Sequence, residues 1–226
     1  MAKPGVSSQL LTGEDRRSTA TRAALIEAAI ETLKSVGFAG ASARVIAGRA
    51  GANQALVFYH FGSVSNLLLA ALDAVSAARL ERYSAALQAV ASPAELVEVA
   101  AGIFREDLDA GYVTVLVEVI AGASSTPGLG AEVASRIAPW TTFARQAIEA
   151  AVGTTGAASI IPSNELAHGV VALYVGLELL THLDGNRRPA LALFERAKQL
   201  ATLLGGVAAP GAGATAAAGK QGATDQ

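Results

Sequence analysis

The side chains with the most recognisable chemistry crowd into Ser42–Phe61, SARVIAGRAGANQALVFYHF. Asn53 and Gln54 carry amides that donate and accept at once, Tyr59 and His60 put polar atoms on rings, and Arg44 presents a forked cation. Groups of this kind read base edges. Catalytic chemistry has no such cluster: the chain holds no Ser/His/Asp arrangement and no phosphate loop. His168 and His182 stand fourteen residues apart with no third ligand at a clear spacing, so no metal site is expected. Neither a catalytic residue nor a cofactor is expected, and the chain is read as a non-enzyme.

The elements that would hold these side chains follow from the same twenty residues. Ser42 is a suitable N-cap. Ile46 and Ala50 fall four apart on one helical face, and Gly51 tolerates the left-handed conformation that ends a helix. Asn53 can cap a second helix, Gln54 to His60. Val57 and Phe61 would then point inward, with Gln54, Ala55 and Tyr59 outward. Two short helices about a glycine also describe a plain hairpin in an all-α core. The exposed Asn, Gln, Tyr and His decide against it, because a purely structural helix would carry Glu, Lys and Ala there. The pattern is a helix-turn-helix over 42–61, whose second helix is shaped to enter a DNA major groove.

From Thr21 to Leu72 the chain resembles the DNA-binding domain of TetR-family transcriptional regulators. The matching pieces are TRAALIEAAIETLKSVGF, ASARVIAGRAG, ANQALVFYHF and SNLLLAAL, in that order and spacing. The resemblance implies an all-α fold, with a three-helix head on a larger regulatory and dimerisation body of about nine helices in total. It also implies roles. Arg44 and Gln54 match positions that contact bases or phosphates, Ala55 and Leu56 could touch a thymine methyl, and Phe58, Tyr59 and His60 match an aromatic cluster that braces the helix and touches phosphates. Ser42 and Asn53 can direct hydroxyl, amide or backbone N–H groups at phosphates. Many relatives place a phosphate-clamping Lys near the start of helix four. Here that position is Val64, so one charge-assisted contact is missing, and Ser63, Ser65 and the helix N-terminus are the local substitutes.

Totals set the frame. The chain has 226 residues, 52% of them hydrophobic, and no cysteine, which excludes disulfides and thiolate metal sites. The net charge of −2 is uneven: residues 1–65 carry +3 and the remainder −5, as suits a DNA-reading head on an acidic body. No signal-type apolar run opens the chain, and the most apolar later stretch, Gly169 to Leu183, is too short to span a bilayer. A cytoplasmic location without membrane association follows. Residues 1–18 lack apolar periodicity and are expected to be a disordered arm, in which Arg16 and Arg17 either reach DNA or are simply solvated. The DNA-binding domain is set at 19–75, the ligand-binding and dimerisation domain at 76–205, and a disordered Ala/Gly tail at 206–226.

Helix one is expected from Thr19 to Val36, with Leu25, Ala29 and Leu33 as its apolar stripe and Gly37 ending it. Helix four, from Ser63 to about Val90, would bury Leu67, Ala71, Ala74, Ala78 and Leu80. Ser92-Pro93 opens the next helix. The run 112–121, YVTVLVEVIA, could be a strand by periodicity, but nothing strand-like exists to pair with it, and an unpaired strand strands its backbone groups. It is read as a buried helix. A helix over 131–152 should kink at Pro139, and Gly153 to Ser159 should be a loop. Asn164–Leu183 and Arg188–Leu204 form a last pair. By the resemblance they build a homodimer interface, helped by Ala172 and Gly176, although an intramolecular core would also use them.

Within the body, Phe104, Tyr112, Glu118, Trp140, Phe143, Tyr174 and Glu178 combine into a candidate pocket for a small, mostly apolar effector. Tyr174 could hydrogen-bond Glu178, its i+4 neighbour. Glu118 must face water, pair with an Arg such as Arg145, or meet a ligand, because an unpaired buried carboxylate is costly. The function expected is a sequence-specific regulator, a repressor released from a near-palindromic double-stranded operator by that effector. The alternative is a DNA-binding or scaffold dimer with no small-molecule response.

Overall fold

A computed structural model describes residues 13–88, 90–152 and 162–207. Among them are nine α-helices and no strand: α1 Gly13–Gly40, α2 Ala43–Arg49, α3 Ala55–Phe61, α4 Val64–Gln88, α5 Pro93–Ala110, α6 Tyr112–Ala123, α7 Leu129–Val152, α8 Ser163–Asp184 and α9 Arg188–Val207. The all-α expectation holds, and so does the helical reading of residues 112–121.

Local chemistry sets most boundaries. Ser42 caps α2 by accepting the Val45 N–H at 3.3 Å, and Ser63 does the same for the Asn66 N–H at 3.1 Å. At α5 the cap is reciprocal: Ser92 accepts from Glu95 N, and the Glu95 carboxylate accepts from Ala91 N at 2.8 Å. Gly111, with φ +69°, ends α5 and begins α6. Three expectations need correction. Helix one starts at Gly13 rather than Thr19, so 13–18 are not arm. Glu14 and Asp15 sit in its first turn, where carboxylates favour the helix dipole, and the Thr19 hydroxyl donates to Asp15 O. α7 begins at Leu129 rather than Ala131 and carries Pro139 within it. On α4 Leu67 and Ala71 are buried as expected, but the stripe continues through Leu72, Val75, Arg79 and Tyr83, whereas Ala78 faces outward. Residues 1–12 of the expected arm, the loop 153–159 and 208–226 of the expected tail lie outside the described residues.

One core runs through head and body. Leu25, Ala29 and Leu33 of α1, Ile46 of α2, Val57 and Phe61 of α3 and Leu67 of α4 join Val115 and Val119 of α6 in a single buried cluster. α1 packs on α4 and α6, α7 on α8, and α5 on α9.

The junction of head and body is specific. Gly37 breaks α1 with φ +70°, a conformation that strains any residue with a Cβ, and the break frees the N–H of Phe38. That N–H donates to the Glu118 carboxylate of α6 at 2.8 Å. One turn on, the Phe38 ring lies directly on Gly122, where a Cβ would fall inside the ring. Glu118 therefore meets neither Arg145 nor the body cavity. Arg145 pairs with Glu149 at 3.0 Å instead.

The outer faces of α8 and α9 are apolar. Leu173, Leu180 and Leu183 on α8 and Leu193, Leu200 and Leu203 on α9 are all more than half exposed. α8, at 22 residues and a mean hydropathy of 1.5, is long and apolar enough to cross a bilayer on length and composition alone, longer than the stretch read from the sequence. Its buried face nevertheless carries Glu178, which packs against Arg79 of α4.

Candidate nucleic-acid interface and effector cavity

α3 is a seven-residue helix held by its inward residues. Val57 is fully buried and Phe61 nearly so, with the Arg22 guanidinium 5.1 Å from the Phe61 ring centre. Asn53 precedes it and accepts the Ala55 N–H at 2.9 Å, so its side chain serves as the cap. Gly51, with φ +63°, makes the turn from α2. This leaves Gln54, Ala55, Phe58 and Tyr59 outward, with Tyr59 78% exposed and its ring edge-on to His60 at 4.9 Å. Arg44 is exposed on α2 and has no ion-pair partner among the described residues, so its guanidinium is available to an anion. Leu56 is half-buried against the core and braces α3 instead of facing outward with Gln54 and Ala55. Ser63, spent on capping α4, is half-buried beside Val64.

The second site is a cavity of about 300 Å³ in the body, walled by α4 to α9. Tyr112, Trp140, Phe143, Tyr174 and Glu178 line it, as the sequence indicates. Phe104 does not: it is fully buried behind the wall, edge-on to Tyr174 at 5.6 Å and tilted against Phe194 at 5.3 Å. Glu118 is spent at the head–body junction. Leu96, Val97, Ile103 and Val171 complete a mostly apolar surface.

The polar side of this cavity is a buried charge network that sequence reasoning missed. Arg79 of α4 pairs with Asp107 of α5, both side chains almost wholly inaccessible. Asp107 also accepts from the Tyr83 hydroxyl at 3.0 Å and the Tyr174 hydroxyl at 2.9 Å. Tyr174 thus bonds Asp107 and not Glu178, and burial raises its phenol well above the usual range. The guanidinium lies 4.6 Å from the Trp140 ring centre and 5.9 Å from that of Tyr112. Trp140 is anchored through its indole N–H, which donates to Ser76 Oγ at 3.4 Å. Glu178 is 1% exposed and 3.6 Å from Arg79, too far for a hydrogen bond, and its Oε1 has no hydrogen-bond partner. Burial pushes its carboxyl up to about 7 against a smaller downward pull from Arg79. A signal existed in the sequence: Arg79 sits on the apolar register of α4 (Val75, Arg79, Tyr83), and Asp107 follows Ile103 and Phe104 on α5.

Among the described residues no three potential ligands gather to hold a metal ion. Taken together, a capped helix-turn-helix with an exposed polar and aromatic second helix, on a helical body with an internal cavity, defines a DNA-binding regulator of the one-chain, head-and-body class. Comparison gives the family. Residues 25–71 match the sequence profile of bacterial regulatory proteins, tetR family. The whole fold is similar to a transcriptional regulator from Pseudomonas aeruginosa PAO1, with TM-score 0.64 and 22% identity over 89% of this chain and 96% of that one. It is similar to a member of the TetR family from Streptomyces coelicolor A3, with TM-score 0.59 and 26% identity over 81% and 97%. It is also similar to the multidrug binding protein EbrR complexed with imidazole, with TM-score 0.58 and 24% identity over 81% and 93%. No curated protein matches the sequence. The head thus carries the tetR-family sequence pattern, and along most of its length the chain is similar in fold to the TetR-family member from Streptomyces coelicolor A3.

Proposed function

We propose that the protein is a cytoplasmic homodimeric repressor that leaves a near-palindromic operator when a small, mostly apolar molecule fills the body cavity. The observation that carries this is the pairing of an outward-facing α3 with a preformed cavity whose wall includes α4 and α6, the two body-contacting helices against which α1 packs. Gln54, Ala55, Phe58, Tyr59 and His60 would face the groove, with Arg44, Ser42 and Asn53 at its edge. The exposed leucines of α8 and α9 support an interface formed with a second copy, and Gly176 has open space where a Cβ would stand. Two heads are needed to read a two-fold site. The cavity favours this reading over a DNA-binding dimer without a small-molecule response.

The link from cavity to head is concrete. Tyr112 and Leu116 of α6 line the cavity, while Glu118 and Gly122 of the same helix hold Phe38 of the head. A ligand that prefers one position of α6 shifts the heads by its differential affinity for the two states. The test is fluorescence anisotropy on DNA flanking the protein's own gene against scrambled DNA, at two salt concentrations. Preferential, salt-sensitive binding by two heads per site is expected, lost with Tyr59→Ala. Gln54→Ala should cost about 1–3 kcal/mol on the specific DNA and relax one base position per half-site. Equal losses on specific and scrambled DNA would overturn the assignment of Gln54.

A further inference from the structure

The charges facing the cavity do not balance. Arg136 of α7 is already matched twice, by Asp73 at 2.9 Å and Glu132 at 2.8 Å. Arg79 of α4 is matched by Asp107 of α5, whose carboxyl also accepts from two tyrosine hydroxyls. Glu178 of α8 is what remains: a fully buried carboxyl on the cavity wall, with one oxygen lacking any donor. Tyr112 of α6 and Trp140 and Phe143 of α7 line the same cavity, and most of the rest of the wall is aliphatic. An anionic ligand would add another negative charge beside Asp107 and Glu178, and Arg79, although its Nε lacks a hydrogen-bond partner, already stands between those two carboxyls. A neutral apolar ligand would leave Glu178 Oε1 without a donor, which is costly in a water-poor site.

Building on the reading of this cavity as the effector site, we propose that it selects an apolar molecule bearing one cationic nitrogen, whose N–H pairs with the Glu178 carboxylate while its hydrocarbon part fills the aliphatic wall. The Trp140 and Tyr112 rings already face the Arg79 guanidinium, at 4.6 and 5.9 Å, so Glu178 is the group left to hold the ligand's cation. The upward push on the Glu178 carboxyl has the same origin: burial without a full counter-charge, which such a ligand supplies.

Trp140 is the single tryptophan of the chain and lies in the cavity wall, so its emission reports occupancy directly. The experiment titrates the full-length protein with n-octylamine, n-octanol and n-octanoate, reading Trp140 fluorescence and melting temperature, and repeats the series with Glu178→Gln. This variant keeps the side-chain shape and removes a buried charge, so it is expected to fold. The amine should bind at least about tenfold more tightly than the alcohol, the value of one charge-assisted hydrogen bond, and octanoate most weakly. In Glu178→Gln the amine preference should vanish while the alcohol binds as before. If alcohol and octanoate bind as well as the amine, the cation selectivity is overturned and the cavity reading stands. A preference that survives Glu178→Gln overturns the role of Glu178. Silence from all three probes overturns both the selectivity and the cavity reading.

Discussion

Head and body place their polarity in opposite ways. The head buries an ordinary aliphatic core (Leu25, Leu33, Ile46, Val57) and turns its amides, rings and cation outward. The body buries Arg79, Asp107 and Glu178 and leaves leucines outside on α8 and α9. Each arrangement matches what the proposed function would have it recognise. DNA is a large, wet, charged surface, met best by exposed groups that keep their solvation until contact. A small apolar molecule is met by an enclosed wall, where one buried polar group orients the ligand because it has no water to fall back on. The outward leucines need the same explanation in reverse: an apolar surface of that extent asks for a protein partner.

Breaking the buried polarity should have the largest effect. Asp107→Ala leaves Arg79 buried with only the distant Glu178, and removing one partner of a buried pair costs about 3–5 kcal/mol. Urea denaturation should show that loss, and a loss below about 1 kcal/mol would mean the network is wetter than the structure shows.

Glu178→Gln should act in the opposite direction. The folded state holds the Glu178 proton up to about pH 7, whereas the unfolded chain releases it near 4.5. Between those values the native state binds more protons, so wild-type stability falls as pH rises, and the variant lacks this slope. The groups facing Glu178 are Arg79 of α4, 3.6 Å away, and Tyr174 of its own helix. Above pH 7 the variant should be more stable by about 2–3 kcal/mol, with little difference near pH 4. Parallel stability curves across the range would show that Glu178 is solvated.

The smallest effect on stability, and the one that joins the two regions, comes from Gly122→Ala. A methyl there displaces the Phe38 ring and disturbs the bond from Phe38 N to Glu118, at a cost of about 1–2 kcal/mol. Operator affinity should change even though α3 is untouched. Unchanged affinity together with unchanged ligand release would place the coupling in α4 alone.

The same contrast explains what could be read from the sequence. In the head, information is local. Ser42, Gly51 and Asn53 act on neighbours within three residues, and a glycine turn followed by an outward amide is visible in a row of letters. The body helix limits at Ser92-Pro93 and Gly111 are legible for the same reason. The network is not local: Arg79 and Asp107 are 28 residues apart, and Glu118 meets a backbone N–H 80 residues away, a partner that side-chain pairing rules do not consider. On α4 alanines occur on every face, so the apolar register loses its contrast: the stripe Leu67, Ala71, Ala74, Ala78 and Leu80 is buried at Leu67 and Ala71 and drifts to the outside at Ala78. Arg145 looked like a partner for Glu118 by charge alone, but Glu149, one helical turn away, satisfies it.

The exposed leucines of α8 and α9 carry a consequence for quantity. If a second copy covers them, native structure and assembly are one equilibrium, and the melting temperature rises with protein concentration by mass action. Occupancy of a two-headed operator then falls more steeply than in proportion when the protein is diluted. In the proposed mechanism the abundance of the chain would therefore tune operator occupancy alongside the effector.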